Sequence, residues 1–337
     1  MDDWLTLAGS AFGSASLVWV LYDQVLPFAG LLGFLICWYV VFLAFYVALT
    51  AMSHPVPMVL DRLALGLITG AAAIVGLALA FTIAYTFVRG WRPLMHPNFY
   101  TKDMRGVQPS DSLNHGGVLH AIAGTFIELG IAVAASLPLG VVAAIYMSEV
   151  GGKFAKVVRT VVEAMTALPD LIAGLFVYTT LILALGLQRS GLAAAVALSI
   201  TMLPIIARSA ELALRVVPGG LREAGVALGA TQWRTVWQVV LPTAAPGLAT
   251  ALILAVARAA GETAPLLIAN GDSQYLNLNP TSNPMNSLPL FVYKAFKSGD
   301  PAYIQRGFGA ASLLLVLVLS AFVILRLIAR SPSGRSR

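Results

Sequence analysis

Charge is what this sequence has least of. Of 337 residues, 11% are Asp, Glu, Lys or Arg and 58% are hydrophobic, with a mean hydropathy of +0.84. A soluble globular domain carries about a quarter charged residues. The chain cannot clothe a core of this size in polar surface, which excludes a soluble enzyme and implies an integral membrane protein. Cysteine is nearly absent. The single Cys37 excludes an intrachain disulfide, and its apolar surroundings suggest a small buried hydrophobe. His54, His96, His115 and His120 are dispersed, with no ligand spacing to an acid or to Cys37. No metal site is expected, and no Ser/His/Asp arrangement can be drawn. A G-x-x-x-x-G-K-[ST] phosphate loop is missing, so no nucleotide site is expected on this chain. The start, MDDWLTLAGS, has acidic flanks, which argues against a cleaved signal peptide. The net charge of +6 does not point to nucleic acid here; its distribution sets topology instead.

What is present is a series of long apolar runs. A crossing helix needs about 20 apolar residues. The candidates are Trp4–Tyr22, Phe28–Ala51, Leu63–Val88, Val118–Met147, Val162–Leu187, Leu192–Leu214, Ala245–Ala269 and Phe308–Ala329. The fold class expected is an all-α polytopic membrane protein with eight spans. Seven remain possible if Trp4–Tyr22 only lies in or on the membrane, and the N-terminus is then outside. Basic residues place Ser148–Val161, the segment 216–243 and the tail 330–337 on the cytoplasmic side. Two long polar segments, Arg89–Gly117 and Asn270–Arg306, fall outside. They read either as plain connections or as a docking surface for a soluble partner. Residues 1–62 form an N-terminal transmembrane hairpin and 63–329 the main transmembrane domain. Pro138, Pro169, Pro204 and Pro265 are expected to interrupt spans.

The segment 216–243 is too polar for its setting. Pro218-Gly219-Gly220 stops the preceding helix. Leu221, Ala224, Gly225 and Leu228 then recur at helical spacing as a small apolar face. Glu223 falls in the first turn, where an acid suits the helix dipole. Gly229 ends that helix, Thr231 can cap a second piece carrying Trp233 and Trp237, and Pro242 and Pro246 start the next span. Such a helix suits insertion into a cleft on another protein or, alternatively, a place on the lipid headgroups.

Charges within spans mark functional candidates. Arg258 sits halfway along its span with Glu262 four residues on, and Arg208 and Glu211 share a face of the preceding span. An arginine fork suits a tetrahedral oxyanion. The same pairs could instead only tie helices together. Glu128 is a weaker candidate.

Glu223-Ala224-Gly225, three residues, Gly229, nine residues, Val239, one residue and Leu241-Pro242 resemble the E-A-A loop of ABC importer permeases, with Gly225 for the third Ala and Val239 for Ile. Further on, ARAAGETAPLL (Ala257–Leu267) resembles the phosphate-specific permeases of the PstA type, as do Gly116–Val150, LPDLIAGLFVY (Leu168–Tyr178) and Leu203–Gly225. Asp170 departs from that pattern, which more often has Ser. The resemblance covers roughly Leu63 to Ala329. It implies a type I ABC importer permease core of six transmembrane helices plus the N-terminal hairpin. Leu221, Glu223, Ala224, Gly225 and Gly229 would dock a cytoplasmic ATPase dimer that binds ATP and Mg, with no cofactor on this chain. Arg258, Glu262, Thr263, Arg208 and Glu211 would line the substrate pathway. The implied partners are a second permease subunit of the PstC type, an extracytoplasmic phosphate-binding protein and membrane lipid, and the implied location is the bacterial inner membrane with cytoplasmic termini. Importers of molybdate or sulfate, or a phosphate-signalling scaffold, are the alternative functions.

Overall fold

The computed structural model describes residues 2–25 and 30–329, and every described element is helical. The connection expected between Trp4–Tyr22 and Phe28–Ala51 lies partly outside these residues, and the basic tail 330–337 entirely so. The chain forms two compact units, 1–84 and 85–337. Their boundary falls inside a helix.

In the first unit, α1 (Asp2–Trp19) continues through a π turn (Val20–Val25), and α2 (Leu31–Ala51) packs against it. Trp38 Nε1 donates to the Ala11 carbonyl at 3.3 Å. Cys37 is exposed on α2 rather than buried: a uniformly apolar helix gains nothing from hiding a thiol when lipid is its solvent. The apolar part of α1, Thr6–Tyr22, is shorter than the other crossing helices. The following helix, α3 (Val56–Leu94), begins before the expected Leu63 and runs for 39 residues across the unit boundary.

The second unit is built on α5 (Leu119–Ile145) and α8 (Gly191–Arg215), its most extensively packed helix pair. Their contact is made of small residues, with Ala132, Ala144, Ala194, Ala207 and Ala210 all buried. Between helices in lipid the gain comes from close backbone approach rather than from removing apolar area from water. A Cβ on Gly140 would come within 2.7 Å of the Ile206 side chain. Pro138 and Pro204 both sit inside continuous helices, so they do not break their spans; tight packing carries the chain past the missing donors.

One described span is broken, and another is followed by a short helix. The first consists of α6 (Gly152–Thr166) and α7 (Asp170–Val177), the latter extended by a π turn to Ala184; the two halves meet at 101°. The expected loop Ser148–Val161 is therefore mostly helix. Lys153, Lys156, Arg159 and Glu163 recur every three or four residues on one side, while Ala155 and Val162 are buried on the other. The other is α11 (Leu241–Ala260), which breaks at Gly261, Glu262 and Thr263 before the short α12 (Ala264–Ala269). Among the described residues, six helices are long and apolar enough to cross a membrane, and the bent α6–α7 pair makes a seventh if it is one span.

At one end of this unit the polar segments are folded rather than loose. They hold α4 (Asn98–Thr101) and α13 (Leu288–Lys297) ahead of the last helix, α14 (Pro301–Ala329). The fully buried Arg306 donates to the carbonyls of Pro109, Asp111, Ser112 and His115 at 2.8–3.2 Å. Asp103 accepts from the Leu276 amide at 3.0 Å, joining the two segments. At the opposite end lie α9 (Gly219–Ala227) and α10 (Gln232–Thr235).

Candidate translocation and coupling sites

The two breaks face each other. Gly174 on α7 packs on the Pro265 backbone of α12, where a Cβ would come within 2.7 Å of Pro265 Cα and 2.9 Å of its carbonyl oxygen. Asp170 lies one helical turn before Gly174, at the start of α7. This close approach carries Asp170 to Arg258, whose Nη2 donates to Asp170 Oδ2 at 3.2 Å. Arg258 Nε also lies 3.5 Å from Glu262 Oε1. Glu262 reaches back from beyond the end of α11, since the helix stops at Ala260. The pair anticipated from i, i+4 spacing is thus close without sharing a continuous helix. Thr263 caps α12 by position only, with no side-chain hydrogen bond to the helix. Arg258 and Asp170 line a cavity of about 110 Å³ with Thr166, Thr201 and Pro204.

Arg208 and Glu211 stand elsewhere. Glu211 is buried, with its carboxylate at the centre of three arginines. Arg159 donates through Nε at 3.1 Å and Nη2 at 2.7 Å, Arg215 at 2.7 Å, and Arg208 at 3.1 Å. Arg208 also lies 3.5 Å from Glu163. This knot binds α6 to α8 near the α9 end. Arg159 went unrecognised in the sequence because it lies 52 positions from Glu211. Glu128 is buried in α5 and accepts from Asn270 Nδ2 at 2.6 Å.

The α9 segment is tied down by a residue that the spacing pattern leaves blank. Arg222 donates through Nε and Nη2 to both carboxylate oxygens of Glu149, at 3.0 and 2.8 Å. It also donates to the Val217 and Leu214 carbonyls, at 2.6 and 2.8 Å, closing the end of α8. Hydrogen bonding to Glu149 raises the Arg222 pKa above its ordinary value, against the effect of burial. Gln232 Nε2 adds a bond of 2.6 Å to the Glu149 carbonyl. Leu221, Glu223, Ala224 and Leu228 are exposed on α9. Gly225 is not: it is buried, and a Cβ there would come within 2.8 Å of Thr235 Oγ1. Its small size lets α9 fold onto α10, and it does not belong to the outward face expected for it.

Gly229 closes α9 with φ +81°, and Thr231 accepts from the Arg234 amide as the cap of α10. The helix then continues without interruption from Gln232 to Ala260. Trp233 and Trp237 accordingly belong to the span itself. Pro242 and Pro246 do not launch it, because its first turn has already formed upstream. A cavity of about 900 Å³ opens behind α9, lined by Glu149, Arg215, Arg222, Glu223, Gln232 and Thr235 among others.

Comparison with known proteins gives a consistent answer. Residues 136–333 match the family described as binding-protein-dependent transport system inner membrane component. A phosphate transport system permease protein PstA 1 of Mycobacterium tuberculosis is 38% identical over 241 residues, covering 71% of this chain and 78% of that protein. The PstA of Haemophilus influenzae is 32% identical over 269 residues, covering 79% and 93%. Among solved structures, an inward-facing MetNI methionine ABC transporter superposes with a TM-score of 0.51 at 24% identity, over 64% of this chain and 95% of that one. A bacterial ABC transporter involved in alginate import gives 0.51 at 16%, over 77% and 96%. These likenesses show the fold, a type I ABC importer permease. The chain belongs to the binding-protein-dependent transport system inner membrane components, as a multi-pass ABC importer permease of the phosphate transport system PstA family.

Proposed function

We propose that this chain forms half of the translocation pore of an ATP-driven phosphate importer in a bacterial inner membrane. The observation that carries the reading is Arg258, a guanidinium held between two helix breaks with only carboxylates as its charged partners. An oxyanion can take their place on the arginine fork. Arg258, Glu262 and Thr263 would line the pathway. Glu211, with both carboxylate oxygens already accepting from three arginines, fits a structural knot better than a substrate contact, and Arg208 fits as part of that knot.

The other half of the pore is a second permease subunit of the PstC type, and a phosphate-binding protein delivers substrate from outside. The ATPase dimer, carrying ATP and Mg, docks on the exposed Leu221, Glu223 and Ala224 of α9 from the cytoplasm, where the termini also lie. ATP binding closes the dimer and moves α9. Arg222 passes that movement to the ends of α5 and α8, and hydrolysis resets the pore. The chain performs no chemistry of its own.

The test is uptake by the reconstituted complex with phosphate, sulfate and molybdate as competing anions. Phosphate-selective, ATP-dependent uptake is expected. Glu223→Arg should abolish it while leaving the subunit in the membrane, and normal uptake by that variant would refute the assignment of α9.

A further inference from the structure

We infer that Asp170 is a specificity-determining residue, which together with Glu262 admits an oxyanion to Arg258 only if that anion carries a proton. The inference rests on the phosphate reading above and adds a selection step to it. Two carboxylates converge on one guanidinium: Asp170 Oδ2 at 3.2 Å from Nη2 and Glu262 Oε1 at 3.5 Å from Nε. The cluster therefore carries one more acid than base. The nearest charges on the packed helices, Glu163 and Arg208, are engaged with each other and with Glu211.

The cavity that Asp170 and Arg258 share is about 110 Å³. That is room for several waters or one small oxyanion.

A tetrahedral anion that displaces Asp170 from the fork uses two oxygens on Arg258. Its remaining oxygens then face carboxylates, which when ionised can only accept hydrogen bonds. Sulfate and molybdate have no proton to give at neutral pH, so lone pairs oppose lone pairs and like charges repel. Inorganic phosphate keeps at least one proton and can donate it to Asp170 or Glu262. Discrimination by an unsatisfiable polar contact falls on the mismatched group, which is left facing acceptors with nothing to donate.

The experiment uses the assembled transporter in nanodiscs without its external binding protein, whose own selectivity would mask the permease. Equilibrium binding of radiolabelled phosphate is measured against unlabelled sulfate. The wild type should hold phosphate against a hundredfold excess of sulfate. In Asp170→Asn the amide N–H can donate to sulfate, so the preference should fall by roughly tenfold or more. Asp170→Glu should retain most of it. An unchanged preference in Asp170→Asn overturns the inference and leaves Asp170 as a tie between helices. Should that variant bind neither anion, Asp170→Ser and Glu262→Gln are read in the same way. Loss of phosphate binding in all three, with the complex intact, also overturns it. A wild-type complex that binds neither anion overturns the phosphate reading itself, and this inference with it.

Discussion

Arg222→Met should separate ATP hydrolysis from transport. The arginine makes four hydrogen bonds: two to the Glu149 carboxylate and one each to the Leu214 and Val217 carbonyls. Glu149 keeps 6% of its side-chain surface exposed and Arg222 keeps 28%. Removing one partner of a fully buried pair costs about 3–5 kcal/mol, and water reaching Arg222 brings the expected loss to about 2–3 kcal/mol. The loss falls on the joint between α9 and the ends of α5 and α8, and not on the exposed face of α9. The ATPase should therefore still bind and hydrolyse, while phosphate moved per ATP drops by tenfold or more. The assay is simultaneous measurement of phosphate uptake and ATP turnover in proteoliposomes, with thermal unfolding of the purified complex beside it. The double variant Arg222→Met/Glu149→Met leaves no buried charge behind and should regain most of the stability without regaining coupling. A single variant with normal transport per ATP, or a double variant less stable than either single one, would refute the reasoning.

Gly174→Ala should push α7 off α12, because the new methyl group meets Pro265 backbone and not a side chain that can move aside; the loss of the Asp170–Arg258 contact is expected to lower uptake severalfold, measured in the same vesicles with expression level as control. Asp103 gives a pH dependence. Burial raises its pKa, but amide donors at Leu276 and Arg105 and the Arg105 charge outweigh burial and leave it below the ordinary aspartate value of 3.8. A folded-state pKa below the unfolded one adds stability that is present above the unfolded value and lost as pH falls through the folded value. Asp103→Asn should therefore lower the thermal unfolding temperature at neutral pH, with the difference from wild type closing below pH 3.8; a gap independent of pH would show that the carboxylate charge plays no part.

How much of this was readable in the linear sequence follows from the range of each interaction. Runs of apolar residues report local helix, and most of the expected spans coincide with helices. The crossing helix that ends in α11 begins upstream at Gln232, because a π turn over Val236–Val240 carries it past Pro242. Pairs three or four residues apart can be read directly, so Arg208–Glu211 and Arg258–Glu262 were both found. The partners that complete each site lie far away in sequence: Asp170 is 88 positions from Arg258, Glu149 is 73 from Arg222 and Arg159 is 52 from Glu211. Periodicity carries no information over such distances. One signal did exist for Asp170. It follows a proline inside an apolar run, where an unpaired acid would be costly, so a basic partner on another helix was required. Arg258 lies three residues before the break between α11 and α12, and the Gly174–Pro265 contact is what lets the two meet. The small residues of the two broken helices thus serve the same end as the charges: they bring a cation and two acids close enough for an anion to choose between them.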